Sequence, residues 1–242
     1  DLLLALHHSA SGKTYTDSME NDAQTHPYTG LTPDVVLNAL EGVGLQCDGS
    51  QLALNSYENR VYQIGIVDAP PVVAKFYRPE RWSDAAILEE HAFALELQER
   101  EIPVVAPLAL AGAKTLHAAE GFRFAVFPRC GGRAPELDKP DTLQWMGRFL
   151  GRIHAVGAVK PFRERPALDI ASFGEASRDY LLAHRFLPDD LLAAWQSVAD
   201  QALDGVRRCY ERAGPLASIR LHGDCHAGNV LWTDKGPHFV DF

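Results

Sequence analysis

Two stretches near the carboxyl end set the frame for the whole chain: Arg220-Leu-His-Gly-Asp-Cys-His-Ala-Gly-Asn-Val-Leu-Trp232 and, after a turn, His238-Phe-Val-Asp-Phe242. Ile219 and Leu221 favour a short strand that leads into a polar loop, and a second strand leaves the loop at Asn229. The Asp-Lys-Gly-Pro sequence that follows is typical of a turn. The pattern therefore predicts strand, loop, strand, turn and a returning strand over 238–241.

Two carboxylates and one carboxamide lie in these stretches. Asp224 is suited to orient or deprotonate a hydroxyl, while Asn229 and Asp241 offer the hard oxygens that Mg²⁺ prefers. Gly223 and Gly228 would let the loop bring its backbone close to charge. Asp and Asn in loops often only bond their own backbone, and that reading stays open for each residue alone. Their ordered combination favours a site for a metal–polyphosphate.

Composition limits the kind of protein. The chain has 242 residues, 46% of them hydrophobic and 23% charged, which is typical of one large globular domain or two small lobes. Its net charge of −9 argues against a nucleic-acid or anionic-membrane partner. The mostly apolar run 102–113 is too short to cross a bilayer, and we expect no secretory leader, because 2–6 is a short apolar patch without a basic flank. Four scattered cysteines without a CxxC pair indicate free thiols in a reducing cytoplasm.

The first part of the chain predicts a small mixed lobe. Residues 1–31 are polar and irregular, so we expect a flexible arm. Thr32, Pro33 and Asp34 then form a helix start of N-cap, first position and acidic first turn, and Gly44 is suited to end the helix. Alternation over 51–66 predicts two strands joined by a polar loop, the first hairpin of the lobe.

A lysine in a strand and a glutamate on a helix are predicted to pair. Lys75 lies in a third predicted strand over 72–77, where a lysine is most often solvated. A helix capped by Ser83 follows, and Glu90 shares the face of its apolar residues, whereas Glu89 is turned away. A carboxylate on a packed face is costly unless it is paired, so we favour a Lys75–Glu90 ion pair over one with Glu89.

The middle of the chain predicts two further strands and then helices. The run that begins at Ile102-Pro-Val104 favours an edge strand, and residues 121–128 favour a second strand that ends in the connector Phe127-Pro-Arg-Cys-Gly-Gly132. An ordinary strand exit would look the same. Apolar spacing from Leu143 to Ile153 predicts a helix, and two more are predicted over 170–184 and 189–213.

The motif His222-Gly-Asp-x-His-x-x-Asn, followed by Val-Asp-Phe242, resembles the catalytic and metal-binding segments of the aminoglycoside phosphotransferase and choline kinase superfamily. Leu54-Asn-Ser-Tyr-Glu-Asn-Arg-Val-Tyr62, Lys75-Phe-Tyr-Arg-Pro-Glu-Arg-Trp82 and Arg220 to Asn229 are similar, more narrowly, to the bacterial stress response kinase A family. The similarity runs from about Thr32 to the last residue.

This resemblance implies an α+β, bilobal, protein-kinase-like fold. The amino-terminal lobe would be an antiparallel sheet with one helix against it over 32–128, and a hinge would follow over 129–132. The mainly helical carboxy-terminal lobe would occupy 133–242 and be incomplete, because the family usually continues Val-Asp-Phe with Asp-Asp and further helices.

The resemblance also implies cofactors and roles. ATP and Mg²⁺ would bind, with Asp224 as base, Asn229 and Asp241 as metal ligands and Asp241 also as a catalytic residue. Lys75, held by Glu90, would position the nucleotide through its phosphates. The hairpin loop would cover the phosphates and the hinge would meet the adenine, although a G-x-G-x-x-G motif is missing. The further nucleotide contacts implied are Ser56, Asn59, Arg60, Phe127 and Cys130.

The acceptor of the phosphoryl group is open at this point. The family implies an ATP-dependent Ser/Thr protein kinase in a stress response, acting on a protein substrate, and we expect a cytoplasmic monomer. A kinase for a small-molecule hydroxyl, such as an aminoglycoside, choline or homoserine, is the first alternative. A nucleotide-binding fragment without activity is the second, since no acidic residue follows Asp241.

Overall fold

The computed structural model describes residues 26–242. The helices in this part are α1 (Pro33–Gly42), α2 (Asp84–Glu99), α3 (Pro140–Gly157), α4 (Ala176–Ala183) and α5 (Asp189–Ala213). The strands are β1 (Cys47–Leu54), β2 (Arg60–Ile66), β3 (Ala69–Phe76), β4 (His117–Ala119), β5 (Phe122–Pro128), β6 (Val230–Thr233) and β7 (Gly236–Phe239). A π-helical segment, Ile170–Glu175, precedes α4, and a 3-10 turn, Ala227–Asn229, precedes β6.

An antiparallel sheet in the order β1-β2-β3-β5-β4 forms the amino-terminal lobe. One of its faces packs on α1, because alternate residues of the strands are apolar and point to the same side. Phe76 and Phe124, fully buried and stacked 5.2 Å apart, lie at the centre of this core. The first predicted hairpin and the third strand are thus confirmed.

Helices α1 and α2 begin where the sequence predicts. Thr32 accepts a hydrogen bond from the Val35 amide, and Ser83 accepts one from the Ala86 amide, so each hydroxyl satisfies a backbone N–H of its first turn. Helix α1 is followed by Gly44, whose φ of +93° suits a glycine past a helix end.

The other face of the sheet packs against α2. Tyr77, Ile87 and Ala125 form a buried cluster there, with Phe127 partly buried against it. Lys75 pairs with Ala125 in the β3–β5 register, and residues directly opposite each other share a face of the sheet. Lys75 therefore points to the side of α2.

The segment after α2 differs from its prediction. Ile102 to Val104 does not join the sheet as an edge strand; Val104 forms an isolated parallel bridge with Phe239 of β7 instead. The Phe239 amide donates to the Pro103 carbonyl at 2.8 Å, and the Val105 amide donates to the Phe239 carbonyl at 2.9 Å. Pro103 has no N–H to extend a ladder, so pairing stays local. This bridge ties the β6–β7 hairpin to the segment that follows α2.

The strand predicted around Ile219 and Leu221 is not formed. The Arg220 amide donates to the Gly157 carbonyl at the end of α3, so this backbone caps a helix rather than pairing with a strand. A Cβ on Gly157 would lie 2.1 Å from the Arg220 carbonyl oxygen, which explains the glycine. The returning strand is β7, and it ends two residues before Asp241.

The chain divides into two compact units. Among the described residues, one unit contains 26–150 together with His222–Phe242, and the other is Gly151–Leu221. Within the second unit, ion pairs join the helices: Arg207 lies 2.5 Å from Glu175, and Arg178 lies 2.8 Å from Asp200. The stretch predicted as a carboxy-terminal lobe is thus shared between both units.

The arm predicted over 1–31 falls mostly outside the described residues, which begin at 26. Within the described part, Tyr28 is buried, stacks on Phe122 with ring centroids 6.2 Å apart, and donates to the Glu58 carbonyl at 2.8 Å. Residues 26–31 therefore belong to the packed lobe, which begins earlier than the predicted boundary. Among the described helices, none is both long and apolar enough to cross a membrane.

Candidate active site

The ammonium group of Lys75 lies between two carboxylates. Its Nζ is 3.8 Å from Glu90 Oε1 on α2 and 2.5 Å from Asp241 Oδ1 beyond β7. Lys75 and Glu90 are buried, whereas about half of the Asp241 side chain is exposed. Glu90, the partner favoured by the sequence over Glu89, is the one that forms this ion pair. A residue of the sheet, one of the helix and one of the hairpin thus meet at one point.

The charge of Lys75 follows from these partners. Burial by itself lowers the pKa of this amine, since desolvation disfavours the ammonium form. The nearby carboxylates of Glu90 and Asp241 oppose this effect of burial, and the net result is a pKa of Lys75 above its ordinary value. Lys75 therefore stays cationic, and because a buried cation is costly without partners, each carboxylate stabilises it. The site therefore has a fixed positive charge, the Lys75 ammonium, beside the partly exposed carboxylate of Asp241.

Backbone hydrogen bonds bring the predicted loop residues to the same end of the β6–β7 hairpin. The Val240 amide donates to the Asn229 carbonyl at 3.1 Å, and the buried His222 places its Nε2 2.9 Å from the Val240 carbonyl. The Asn229 side-chain amide donates to the Asp224 carbonyl at 2.9 Å. Asp224, Asn229 and Asp241 are thereby connected through a short network of backbone groups.

The Asn229 contact decides which of its atoms can meet a cation. Its Nδ2 is used toward the Asp224 carbonyl, which leaves the amide oxygen as the group suited to a metal. Asp241 supplies a carboxylate on the same hairpin end. Among residues 26–242 no cluster of at least three His, Cys, Asp or Glu side chains is arranged to hold a metal ion. The amide oxygen of Asn229 and the carboxylate of Asp241 instead fit Mg²⁺, which commonly takes one or two protein oxygens and completes its coordination shell with phosphates and water.

Asp241 has an unusual backbone conformation. Its φ of +61° is in the left-handed region, which few residues other than glycine adopt, although Asp does so more readily than most. The ring of the next residue, Phe242, lies tilted against His222 with ring centroids 4.4 Å apart and meets Phe93 of α2 edge-on at 5.8 Å. These ring contacts hold the residue after Asp241, and the hydrogen bonds of Val240 hold the residue before it, so the Asp241 carboxylate is kept near Lys75.

Asp224 is exposed and lies in the loop before the 3-10 turn. Its Oδ2 is 3.7 Å from Nε2 of His226, whose Nδ1 accepts a hydrogen bond from the Gly228 amide at 3.0 Å. The imidazole therefore braces the loop between Asp224 and Asn229. An exposed carboxylate on a braced loop is accessible to a substrate hydroxyl.

The hairpin loop between β1 and β2 is held by its own side chains. Ser56 donates to the Asn59 carbonyl at 2.6 Å, and Asn59 Oδ1 accepts from the Arg78 amide. The Arg60 guanidinium lies 4.7 Å above the ring of Tyr28. Arg60 is opposite Phe76 in the β2–β3 register, and so points to the face away from Lys75. The structure does not bring Arg60 together with Lys75.

The predicted hinge follows β5 and contacts the hairpin. Phe127 lies on the Lys75 face and meets the ring of His91 edge-on at 6.3 Å, while Cys130 is partly buried, which raises the pKa of its thiol. Directly after the hinge, Arg133 and Trp232 of β6 exchange two backbone hydrogen bonds, of 3.1 and 2.7 Å. The connector is thus fixed to the same hairpin that carries Asn229.

A Cβ on Gly132 would lie 2.9 Å from the Leu231 backbone, so this hinge position needs the close approach that only glycine allows. A cavity of about 300 Å³ opens nearby, lined by Trp145, Trp232 and the β6–β7 turn, and does not include any of the predicted site residues.

Sequence reasoning missed two kinds of residue at the site. Phe242 and Phe93 hold Asp241 through ring contacts, and only the position of Phe242 directly after Asp241 was a signal for it. Tyr77, whose ring centroid lies 5.2 Å from Lys75 Nζ, gave no signal beyond being two residues from the lysine on the same strand face. Such contacts depend on elements that are distant in sequence.

The fold is that of protein-kinase-like phosphotransferases. A solved structure described as amicoumacin kinase hAmiN in complex with AMP-PNP, Ca²⁺ and Ami superposes with a TM-score of 0.67, at 20% identity, over 86% of this chain and 63% of that one. At this level of identity the likeness concerns the fold: an antiparallel sheet lobe with a helix against it, followed by a mainly helical region.

The particular family is shown by sequence. The model of the phosphotransferase enzyme family matches residues 50–242, and the chain belongs to that family. It is 46% identical over 211 residues to "Serine/threonine protein kinase RdoA" of Salmonella typhimurium, covering 87% of this chain and 63% of the relative. It is 44% identical over 223 residues to "Stress response kinase A" of Escherichia coli, covering 92% of this chain and 66% of the relative. The predicted resemblance to stress response kinase A is confirmed, and the chain spans about two thirds of these relatives.

Proposed function

We propose that the protein is an ATP-dependent Ser/Thr protein kinase of the stress response kinase A type. The observation that carries the proposal is the meeting of Lys75, Glu90 and Asp241, with Lys75 Nζ 3.8 Å from Glu90 and 2.5 Å from Asp241. A fixed cation beside an exposed carboxylate is the arrangement that binding of a metal–triphosphate needs. A relative at 46% identity is named as a serine/threonine protein kinase, which favours a protein acceptor.

Each residue then has a role. Lys75, kept cationic by its partners, binds the phosphates of ATP, and Glu90 orients it. Asp241 and the amide oxygen of Asn229 would hold Mg²⁺, which supplies neutralisation of phosphate charge when bound. Asp224 accepts the proton of the acceptor hydroxyl and orients the oxygen in line with the γ-phosphate.

Phosphoryl transfer requires little covalent chemistry from the protein, so most of the rate enhancement comes from positioning the acceptor hydroxyl and the phosphates. The bond between the γ-phosphorus and the bridging oxygen breaks, a bond to the acceptor oxygen forms, and the acceptor proton moves to Asp224. Asp224 is exposed, so its carboxylate is accessible to a hydroxyl on a protein acceptor. Ser56, Asn59, Phe127 and Cys130 remain predicted nucleotide contacts from the loop and the hinge.

The test measures transfer from γ-labelled ATP by the complete natural protein that contains this sequence, with and without Mg²⁺. Acceptors are a protein extract in one arm and aminoglycosides, choline and homoserine in the other. We expect labelled Ser or Thr in proteins, and label only in a small molecule would overturn the protein-kinase assignment.

Variants assign the roles. Asp224→Ala and Asp241→Ala should each lower the turnover by about 10²-fold or more, since each removes a group that acts at the reacting centre. Asp234→Ala is the matched control, because Asp234 is an exposed carboxylate in the turn between β6 and β7 of the same hairpin. Full activity of either site variant, or equal loss in the control, would contradict the proposed roles.

A further inference from the structure

A chain of buried hydrogen bonds lies beside the Lys75–Glu90 pair. The Tyr77 hydroxyl is 2.8 Å from Nε2 of His91, and Nδ1 of His91 is 2.9 Å from the Thr115 hydroxyl. Tyr77, His91 and Thr115 are 3%, 1% and 9% exposed, so water hardly competes for these bonds. We propose that Tyr77, His91 and Thr115 are positioning residues, which hold the Lys75–Glu90 pair in the geometry that binds nucleotide. This inference deepens the proposed kinase function and rests on it.

The chain joins the elements that carry the ion pair. Tyr77 directly follows β3, which contains Lys75, and its amide donates to the Arg123 carbonyl of β5. His91 is the neighbour of Glu90 on α2. Thr115 lies in the loop before β4. A displacement of α2 away from β3 would therefore break the Tyr77–His91 hydrogen bond as well as separate Glu90 from Lys75.

Tyr77 also contacts the cation itself. Lys75 Nζ lies 5.2 Å from the centroid of the Tyr77 ring, within the range of a cation–π interaction. The same tyrosine thus contacts Lys75 through its ring and His91 through its hydroxyl. The hydroxyl contact limits where the Tyr77 ring can lie. The chain of hydrogen bonds therefore positions Lys75 as well as Glu90.

The chemistry of His91 makes the chain well defined. A neutral imidazole has one donor and one acceptor, and it can be satisfied between two hydroxyls in either tautomer because both hydroxyls rotate. Burial lowers the pKa of His91 to about 4, with Lys75 and His117 adding to the effect. The ring also meets Phe127 edge-on, which limits its rotation. At neutral pH, His91 is therefore a fixed, uncharged link.

Isosteric variants separate positioning from packing. Tyr77→Phe and Thr115→Val each remove one hydroxyl with little change of shape, and Thr115→Ser keeps the hydroxyl as a matched control. Ile87→Val is the packing control, since Ile87 is buried in the same cluster as Tyr77 and makes no side-chain hydrogen bond. Thermal unfolding of each complete protein shows that it is folded.

The first readout is the acylation rate of Lys75 by an amine-reactive ester, followed by mass spectrometry, with the exposed Lys235 as internal reference. This readout does not require nucleotide. We expect Tyr77→Phe and Thr115→Val to raise the rate at Lys75 by about twofold to tenfold, the range that one neutral hydrogen bond supports. Thr115→Ser and Ile87→Val should stay near the wild-type rate.

The second readout is the Kd for Mg–ATP, which we expect to rise by a similar factor in Tyr77→Phe and Thr115→Val only. If both hydroxyl-removing variants lower the melting temperature but match Ile87→Val in Lys75 acylation and in Kd, the chain is structural and the inference is overturned. If the wild type does not bind Mg–ATP, the proposed kinase function fails. The acylation rates then still decide whether the chain positions Lys75.

Discussion

Lowering the pH from 7.5 to 5 should destabilise the protein through His91 by an amount that can be calculated. The native pKa of this residue is about 4 and its ordinary value is 6.5, because burial and the nearby Lys75 ammonium disfavour the charged form. Between these values the unfolded chain binds more protons than the native protein, so stability falls as the pH falls. The contribution is fully present above pH 6.5 and is lost progressively toward pH 4.

The size of the effect follows from the two pKa values. At pH 5 an unfolded His91 is mostly protonated whereas the native one is mostly neutral, which corresponds to a loss of about 2 kcal/mol relative to pH 7.5. His117 and His222, whose pKa values burial also lowers, add to the pH dependence of the whole protein. A variant is needed to isolate His91 from them.

The assay is urea unfolding of the wild type and of His91→Asn at pH 7.5 and at pH 5. Asn does not titrate, so the variant keeps the contributions of the other histidines and loses only that of residue 91. We expect the variant to be less stable than the wild type at pH 7.5 and the difference to shrink by about 2 kcal/mol at pH 5. A difference that is the same at both pH values would show that His91 is not held neutral, and would refute the reasoning.

Two further predictions concern stability. Gly157→Ala should destabilise the protein by about 1–3 kcal/mol, since the new Cβ would lie 2.1 Å from the Arg220 carbonyl oxygen. Urea unfolding measures this loss, and an unchanged midpoint would show that the end of α3 moves to accommodate the methyl group. Ser83→Ala should cost about 1 kcal/mol, because it removes the hydroxyl that accepts from the Ala86 amide, whereas Ser83→Asp should keep most of the stability. Equal midpoints for the wild type and both Ser83 variants would contradict the capping role.

Some of the site could be predicted because the signals are local. The caps at Thr32 and Ser83 depend on hydrogen bonds within one turn, and the helical period places Glu90 rather than Glu89 on the packed face. A carboxylate on a packed face requires a cationic partner, and this requirement made Lys75 of the preceding strand the favoured candidate.

Other features could not be predicted because they depend on contacts between distant segments. Pro103 and Val104 look like part of a strand, yet they pair with Phe239. Arg60 is predicted as a phosphate contact of its loop, but the β2–β3 register places its side chain on the face away from Lys75, over the ring of Tyr28. Local composition does not specify register or the identity of a non-local partner.

The residue types and their spacing alone predict the first hairpin and the capped helices of a small lobe, a lysine that needs a carboxylate, and an acidic hairpin suited to a metal–polyphosphate, while the resemblance implies the antiparallel sheet with a helix against it. They do so because helical and strand periods and the cost of buried charge are properties of short segments. Only the tertiary structure decided that Asp241 meets Lys75 at 2.5 Å, and that Tyr77, His91 and Thr115 form a chain beside them. Those contacts join β3, α2, the loop before β4 and the carboxyl end, and distances between such separate segments are set by packing of the whole lobe.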